Sequence, residues 1–103
     1  MRRYLRYVLY AKEGVREREF VRALKRYFRS GKIVLTVLRP RVNGRSQVHR
    51  SAMRWATPQT YERLFGVRLI PVKRLWKVGG DGVVPHELEK VVDWINVIAR
   101  FRA

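Results

Sequence analysis

Residues 33–56 read Ile33-Val34-Leu35-Thr36-Val37-Leu38-Arg39-Pro40-Arg41-Val42-Asn43-Gly44-Arg45-Ser46-Gln47-Val48-His49-Arg50-Ser51-Ala52-Met53-Arg54-Trp55-Ala56. The run from Ile33 to Leu38 is short, continuous and rich in β-branched residues, which suits a central strand. Asn43-Gly44 supplies the strongest short-range hairpin signal, because both residues tolerate the positive φ that a tight two-residue turn demands. A third strand is expected from about Ser46 to Ala56, with looser alternation through Val48, Ala52 and Met53. A central hairpin with a helical pattern on each side decides the fold.

Working outward, Tyr4 to Tyr10 is a run of β-favouring residues bounded by Glu13-Gly14. From Val15 to Ser30 the period changes. Phe20, Leu24 and Phe28 recur every four residues, flanked by Val21 and Tyr27, as one face of an amphipathic helix requires. Glu13, Glu17 and Glu19 near its start and Arg26 and Arg29 near its end complement the helix dipole, and Ser30-Gly31 stops it. Downstream, Thr57-Pro58 joins a hydroxyl cap to a proline at the first helical position. Glu62 supports that helix, which runs through Leu64-Phe65 to Gly66. Val67 to Val78 reads as a fourth strand, with Pro71 marking an edge or bulge. Gly79-Gly80-Asp81-Gly82 reads as a loop, and Pro85 as the opening of a last helix with a stripe of Leu88, Val91, Val92, Ile95, Ile98 and Ala99. The order β-α-β-β-α-β plus a C-terminal helix predicts an α+β, ferredoxin-like sandwich: a four-stranded antiparallel sheet with two helices on one face. Residues 1–103 form a single basic domain.

The chain has 103 residues, 47% hydrophobic and 31% charged, enough apolar material for a core and too much for compositional disorder. The lack of cysteine excludes disulfides, cysteine-ligated zinc, iron–sulfur clusters and thiol chemistry. No apolar run approaches the ~20 residues of a membrane span, and Met1-Arg2-Arg3-Tyr4 is no signal peptide. The expected location is cytoplasmic, or inside a nucleoprotein particle or virion. Amides are few (Asn43, Asn96, Gln47, Gln59), as in hot-adapted proteins, and this composition suggests a thermophilic archaeon or its virus.

Lysine and arginine number 24 against 8 acids, for a net charge of +16, with 18 arginines among the 24. The excess is uneven: residues 1–78 carry +17 and residues 79–103 carry −1. Such a chain repels itself unless a polyanion neutralises it, which makes RNA or DNA the expected partner. Three clusters are candidates for phosphate contacts. Arg18, Arg22, Lys25, Arg26 and Arg29 recur three or four apart, opposite the apolar stripe of the first helix. Arg39, Arg41, Arg45, Arg50 and Arg54 surround the Asn43-Gly44 turn and continue into the third strand. Arg68, Lys73, Arg74 and Lys77 lie on the fourth strand beside Trp76. Guanidinium forks match phosphate oxygens with two parallel hydrogen bonds; for each cluster a solvated surface is the simpler alternative.

Tyr4, Tyr7, Tyr10, Trp55 and Trp76 interleave these charges, and Tyr4, Arg6 and Tyr10 share one strand face. Open sheets of this kind can stack bases, although the Lys/Arg-Gly-Phe/Tyr signature of RNA recognition motifs is absent and core packing is the simpler role for most of these rings. Trp94, Val97 and Phe101 would form a second stripe on the last helix, suited to a homo-oligomer or a larger assembly. No catalytic, metal or cofactor site is expected. His49 and His86 are far apart, His86 and Glu89 make only a helix-spaced pair, Ser30, Ser46 and Ser51 lack a nucleophile context, and Gly79-Gly80-Asp81-Gly82 has no following Lys-Ser/Thr. The expected function is non-enzymatic, low-specificity nucleic-acid binding by phosphate neutralisation, in a ribosome-associated, chromatin-type or nucleocapsid role.

Thr57-Pro58-Gln59-Thr60-Tyr61-Glu62-Arg63-Leu64-Phe65-Gly66-Val67-Arg68-Leu69, with Val84-Pro85-His86-Glu87-Leu88 and Val91-Val92, resembles the second helix, following strand and closing helix in pro-domains of sedolisin- and subtilisin-type serine proteases. The resemblance spans about residues 57–98. It implies the same β-α-β-β-α-β fold and, as an alternative function, a stand-alone module that binds or inhibits a protease.

Overall fold

Leu5, Tyr7 and Leu9 are fully buried while Arg6, Val8 and Tyr10 between them are half-buried, and this alternation gives the molecule its two faces. The computed structural model describes residues 4–29, 31–72, 75–79 and 84–99. In chain order these form β1 (Leu5–Ala11), α1 (Glu17–Phe28), β2 (Val34–Leu38), β3 (Arg41–Val42), β4 (Arg45–Ser46), β5 (His49–Ala56), α2 (Pro58–Phe65), β6 (Arg68–Val72), β7 (Leu75–Gly79), a 3-10 turn (His86–Leu88) and β8 (Val92–Ala99). The main sheet has four strands in the order β2-β5-β1-β8, and each neighbouring pair is antiparallel. The protein is therefore α+β, with a four-stranded antiparallel sheet and two helices, compatible with a ferredoxin-like type.

The local signals explain most of these elements. Asn43 and Gly44 both have positive φ (53° and 76°), as the tight turn between β3 and β4 requires. The two-residue ribbon β3–β4 is separate from the main sheet and projects from the end of the β2–β5 pair, so the third main strand starts at His49 rather than Ser46. Thr57 caps α2 by accepting the Thr60 N–H at 3.2 Å, Pro58 occupies its first turn, and Gly66 closes it in the left-handed conformation. The Glu62 carboxylate accepts the Leu69 N–H at 3.0 Å, which ties α2 to β6. Acidic residues in the first turn of α1 and basic ones in its last suit the dipole there.

Two expectations about secondary structure need correction. Val67–Val78 is not one strand of the main sheet: it folds on itself as the hairpin β6–β7. Proline at 71 cannot donate to a ladder on its N–H side, which suits a two-stranded ribbon better than a sheet interior. The expected C-terminal helix is also absent. Its residues form the 3-10 turn and then β8, the fourth main strand, paired with β1. The register slips between Tyr10 and Ala11, whose partners are Trp94 and Val92, so Asp93 is the extra residue of a β-bulge. The bulge turns both Val92 and Ile95 toward the core, three residues apart, and with Leu88 and Val91 in the turn before it imitates a helical period. The β-branched residues Val91, Val92, Ile95, Val97 and Ile98 favour the strand.

The core lies between the helices and one face of the sheet. Phe20, Leu24 and Phe28 of α1 and Tyr61 and Phe65 of α2 pack on Leu5, Tyr7, Leu9, Ala52 and Ala56, with Leu69, Leu88, Val91 and Val92 closing the margins. Each fully buried large side chain contributes about 1.5–3 kcal/mol. Tyr7 is central: its ring meets Tyr61 edge-on at 5.1 Å and Phe65 at 5.4 Å, and lies 6.2 Å from Phe28. The Tyr27 hydroxyl donates to the Leu64 carbonyl and joins the two helices.

Arg54, expected on the phosphate-binding surface, belongs to this core. It lies directly opposite Tyr7 in the β1–β5 register and is 8% exposed. Its Nε donates to the Tyr7 hydroxyl at 2.9 Å, and its guanidinium carbon sits 4.0 Å from the centre of the Phe28 ring. Inward alternation with Ala52 and Ala56 leaves it no route to the outer face. A β-carbon at Gly31, where φ is +95°, would stand 2.8 Å from Nη2, so a glycine is needed where the chain passes the guanidinium.

Two measurements test this core. Replacing Arg54 with glutamine should cost about 2–4 kcal/mol in denaturant unfolding, from lost packing and an unsatisfied Tyr7 hydroxyl. Arg26→Gln on the exposed side of α1 should stay within about 0.5 kcal/mol, and equal effects would place Arg54 outside the core's essential contacts. Burial raises the pKa of Tyr7, against partial opposition from Arg54, and burial raises Tyr61 as well, both from the ordinary 10.0. The folded state thus holds these protons more tightly than the unfolded chain, and the associated stability is complete below pH 10 and lost as pH rises toward the folded values. The thermal midpoint should fall above pH 10, and Tyr61→Phe should flatten that alkaline limb; identical limbs would show that Tyr61 does not contribute.

Candidate nucleic-acid interface

The apolar stripe of α1 faces the sheet, so the opposite side of the same helix faces solvent. Arg18, Arg22, Lys25, Arg26 and Arg29 are all exposed there. They form the ridge expected from their spacing, over a helix of 12 residues, or about 18 Å. Arg16, Arg18 and Arg22 surround a shallow hollow with Glu19 as its one acid. Arg54 aside, no described lysine or arginine has a described carboxylate within 4.0 Å, and the ion pair recorded among the described residues joins His86 to Glu89 at 3.2 Å. Among the described residues the ridge is therefore held in no ion pair, and its nearest acids are Glu17 and Glu19 of the first turn.

The second cluster divides. Arg39, Arg41 and Arg45 are exposed on and beside the β3–β4 ribbon, where every residue from 34 to 49 is exposed. Arg41 lies opposite Ser46 and Arg45 opposite Val42, so the two arginines point to opposite sides of the ribbon. Arg50 is half-buried. Its Nη1 donates to the Val15 carbonyl at 2.9 Å, pinning β5 to the β1–α1 connection, and its Nε is buried without a hydrogen-bond partner. It lines a cleft of about 600 Å³ with Glu13, Arg16, Gln47, His49 and Asp93, of mixed charge. Arg54 is enclosed as described above. Only Arg39, Arg41 and Arg45 of this cluster are thus free to meet a phosphate backbone.

Of the third cluster, Arg68 is exposed at the start of β6. Lys77 lies in β7 opposite Ile70, and Lys73 and Arg74 lie outside the described residues. The expected apolar stripe Trp94, Val97 and Phe101 does not exist as a unit. In a strand Trp94 and Val97 face opposite ways: Trp94 is on the outer face, Val97 packs against the core, and Phe101 lies outside the described residues.

The surface that the sequence showed least well is the sheet face away from the helices. Alternation places on it Arg6, Val8 and Tyr10 of β1, Ser51, Met53 and Trp55 of β5, Val34, Thr36 and Leu38 of β2, and Trp94 and Asn96 of β8. Tyr10 and Trp94, cross-strand partners, stack at 4.2 Å with planes 10° apart. Arg6 and Trp55, also cross-strand partners, approach to 5.7 Å between guanidinium carbon and ring centre. Trp55 and Trp94 remain 42% and 48% exposed. The shared face of Arg6 and Tyr10 was readable from alternation in β1; Trp94 was hidden by the helical look of β8.

His49 Nε2 lies 3.2 Å from Gln47 Oε1 and His86 Nδ1 3.2 Å from Glu89 Oε2, both exposed pairs. Among the described residues no three His, Asp or Glu side chains converge as a metal site, and no helix is long and apolar enough to cross a membrane. Searches of family models, curated proteins and solved structures find no match to this chain.

Proposed function

We propose that this protein binds nucleic acid with little sequence specificity, by neutralising phosphates with exposed arginine and lysine. The observation that carries the reading is the charge of +17 over residues 1–78, much of it on two exposed features: the α1 ridge and the β3–β4 ribbon. An uncompensated charge of this size in a small domain is relieved when a polyanion takes the place of its counterions. We also assign the fold to the ferredoxin-like class. Numbered in chain order, the four main strands lie 2-3-1-4 across the sheet, with a helix between the first and second and another between the third and fourth. The fold is shared by unrelated functions, so the surface chemistry carries the functional reading.

Binding to RNA or DNA should fall steeply with salt. Six to ten phosphate contacts correspond to a loss of ~10³–10⁵ in affinity between 50 and 200 mM. Changing Arg18, Arg22, Lys25 and Arg29 together to glutamine should reduce the slope of log K against log salt by up to ~4 while leaving the fold intact, since all four are exposed. An unchanged slope would move the contacts to Arg39, Arg41 and Arg45, tested by the same substitution. Absence of binding at low salt would overturn the reading in favour of a protein partner, such as the protease that the pro-domain resemblance implies.

A further inference from the structure

We propose that the open sheet face is a stacking platform for the bases of single-stranded nucleic acid, with Trp55 at one end and the Tyr10–Trp94 pair at the other. The proposal rests on the nucleic-acid reading above and names the form of nucleic acid and the surface that receives it.

Both helices pack on the opposite face; Arg6 lies against one side of Trp55 and Tyr10 against one side of Trp94, and the two indoles remain 42% and 48% exposed. The two platforms sit in fixed register. Trp55 is opposite Arg6 and Trp94 opposite Tyr10, four residues apart on β1 and on its two sides. At ~3.3 Å per residue and ~4.8 Å per strand, they are about 16 Å apart on a diagonal of the sheet. Val8, Met53 and Asn96 form an uncharged floor between them. A flexible strand of a few nucleotides can cross this diagonal, with one base against Trp55 and another against Trp94. A duplex cannot, because its bases already stack on each other and only their edges are exposed.

Charge complementarity selects this occupant over an apolar protein surface. Among the described residues the bulge places one acid, the exposed Asp93, beside Trp94 at the margin of the face, and no other Asp or Glu stands on the positions that alternation assigns to it. Arg6 stands on the face beside Trp55, with its Nε buried and lacking a hydrogen-bond partner. The Tyr10–Trp94 row aligns with Ser51 and Thr36, and the next row outward is His49 and Leu38. Beyond that the chain runs into the ribbon that carries Arg39, Arg41 and Arg45. A strand stacked at this end therefore has its phosphates near the exposed arginines, while its bases lie on the rings.

Anisotropy titrations of the full chain with a labelled dT or rU 12-mer and a 12-base-pair duplex, at matched salt, test the proposal. Trp55→Ala and Trp94→Ala should each weaken single-strand binding about tenfold, as loss of one base–aromatic stack does. Their salt slope and their duplex affinity should not change, because no phosphate contact is removed. Trp55→Phe, which keeps a ring, should recover most of the loss, and circular dichroism should confirm that each variant is folded. Single-strand affinity unchanged in both alanine variants would overturn the stacking platform and leave phosphate binding in place. Equal losses for single strand and duplex would also overturn it, since they would show a general contact surface. A dimer in sedimentation that either alanine variant dissociates, with nucleic-acid affinity kept, would assign the face to a second copy instead. Failure of the unaltered protein to bind either form at low salt would be failure of the underlying reading.

Discussion

The contact between Arg54 and the aromatic core is the constraint on which the rest of the structure depends. A guanidinium placed inside a small domain needs a hydrogen-bond acceptor and a polarisable surface at once. Tyr7 supplies the first at 2.9 Å and the ring of Phe28 the second at 4.0 Å. Tyr7 belongs to β1, Phe28 to the end of α1 and Arg54 to β5, so this group of three fixes the helix against the two central strands. Tyr61 and Phe65 then complete the cluster from α2 by packing on Tyr7. The planar, delocalised cation allows this arrangement; a lysine ammonium, compact and strongly hydrated, would not lie across a ring and reach the hydroxyl in the same way. Gly31 follows as a consequence, because the chain leaving α1 passes the guanidinium at a φ of +95°, which glycine adopts without strain.

This core settles where the remaining charge goes. With both helices on the Tyr7 side, their polar faces become the exterior of that layer, and the ridge of α1 is uncompensated because the acids there are confined to its first turn. The ribbon β3–β4 collects three more arginines beyond the end of the sheet, where neither core nor helix competes for them. Self-repulsion among these groups opposes folding, and the aromatic cluster offsets it.

The sequence made the local elements legible wherever one period and one boundary signal agreed. Phe20, Leu24 and Phe28 fixed α1, Thr57-Pro58 and Gly66 fixed α2, and Asn43-Gly44 fixed a turn whose φ values match. The failures have specific causes. In β8 the bulge at Asp93 replaced the period of two with a spacing of three, and nearby turn residues extended the imitation of a helix. In residues 67–78 Pro71 reads as an edge or a bulge within one strand, whereas β6 and β7 pair with each other as a hairpin. Arg54 reads as a surface cation because in loose alternation a buried arginine looks the same as an exposed one; only its register opposite Tyr7 reveals the difference. Part of the open face was legible, since Arg6 and Tyr10 alternate with the core residues of β1. Its second half depended on Trp94 and could not be seen until β8 was known to be a strand.

On the proposed reading, the arginine surfaces and the open sheet face separate the two kinds of interaction that a nucleic acid offers. Phosphate attraction is long-ranged and screened by salt, and it suits the ridge and the ribbon, which extend outward and need no fixed geometry. Base stacking is short-ranged and insensitive to salt, and it needs rings held at defined positions. The sheet provides those, because cross-strand register sets both the Tyr10–Trp94 stack and the Arg6–Trp55 pair. The ribbon joins the two, since it continues β2 and β5 directly from the row beside Tyr10. A polyanion captured by the arginines is already at the end of the sheet where the first platform stands. In this proposal affinity from charge and discrimination between paired and unpaired bases arise from different residues, so each can change without the other.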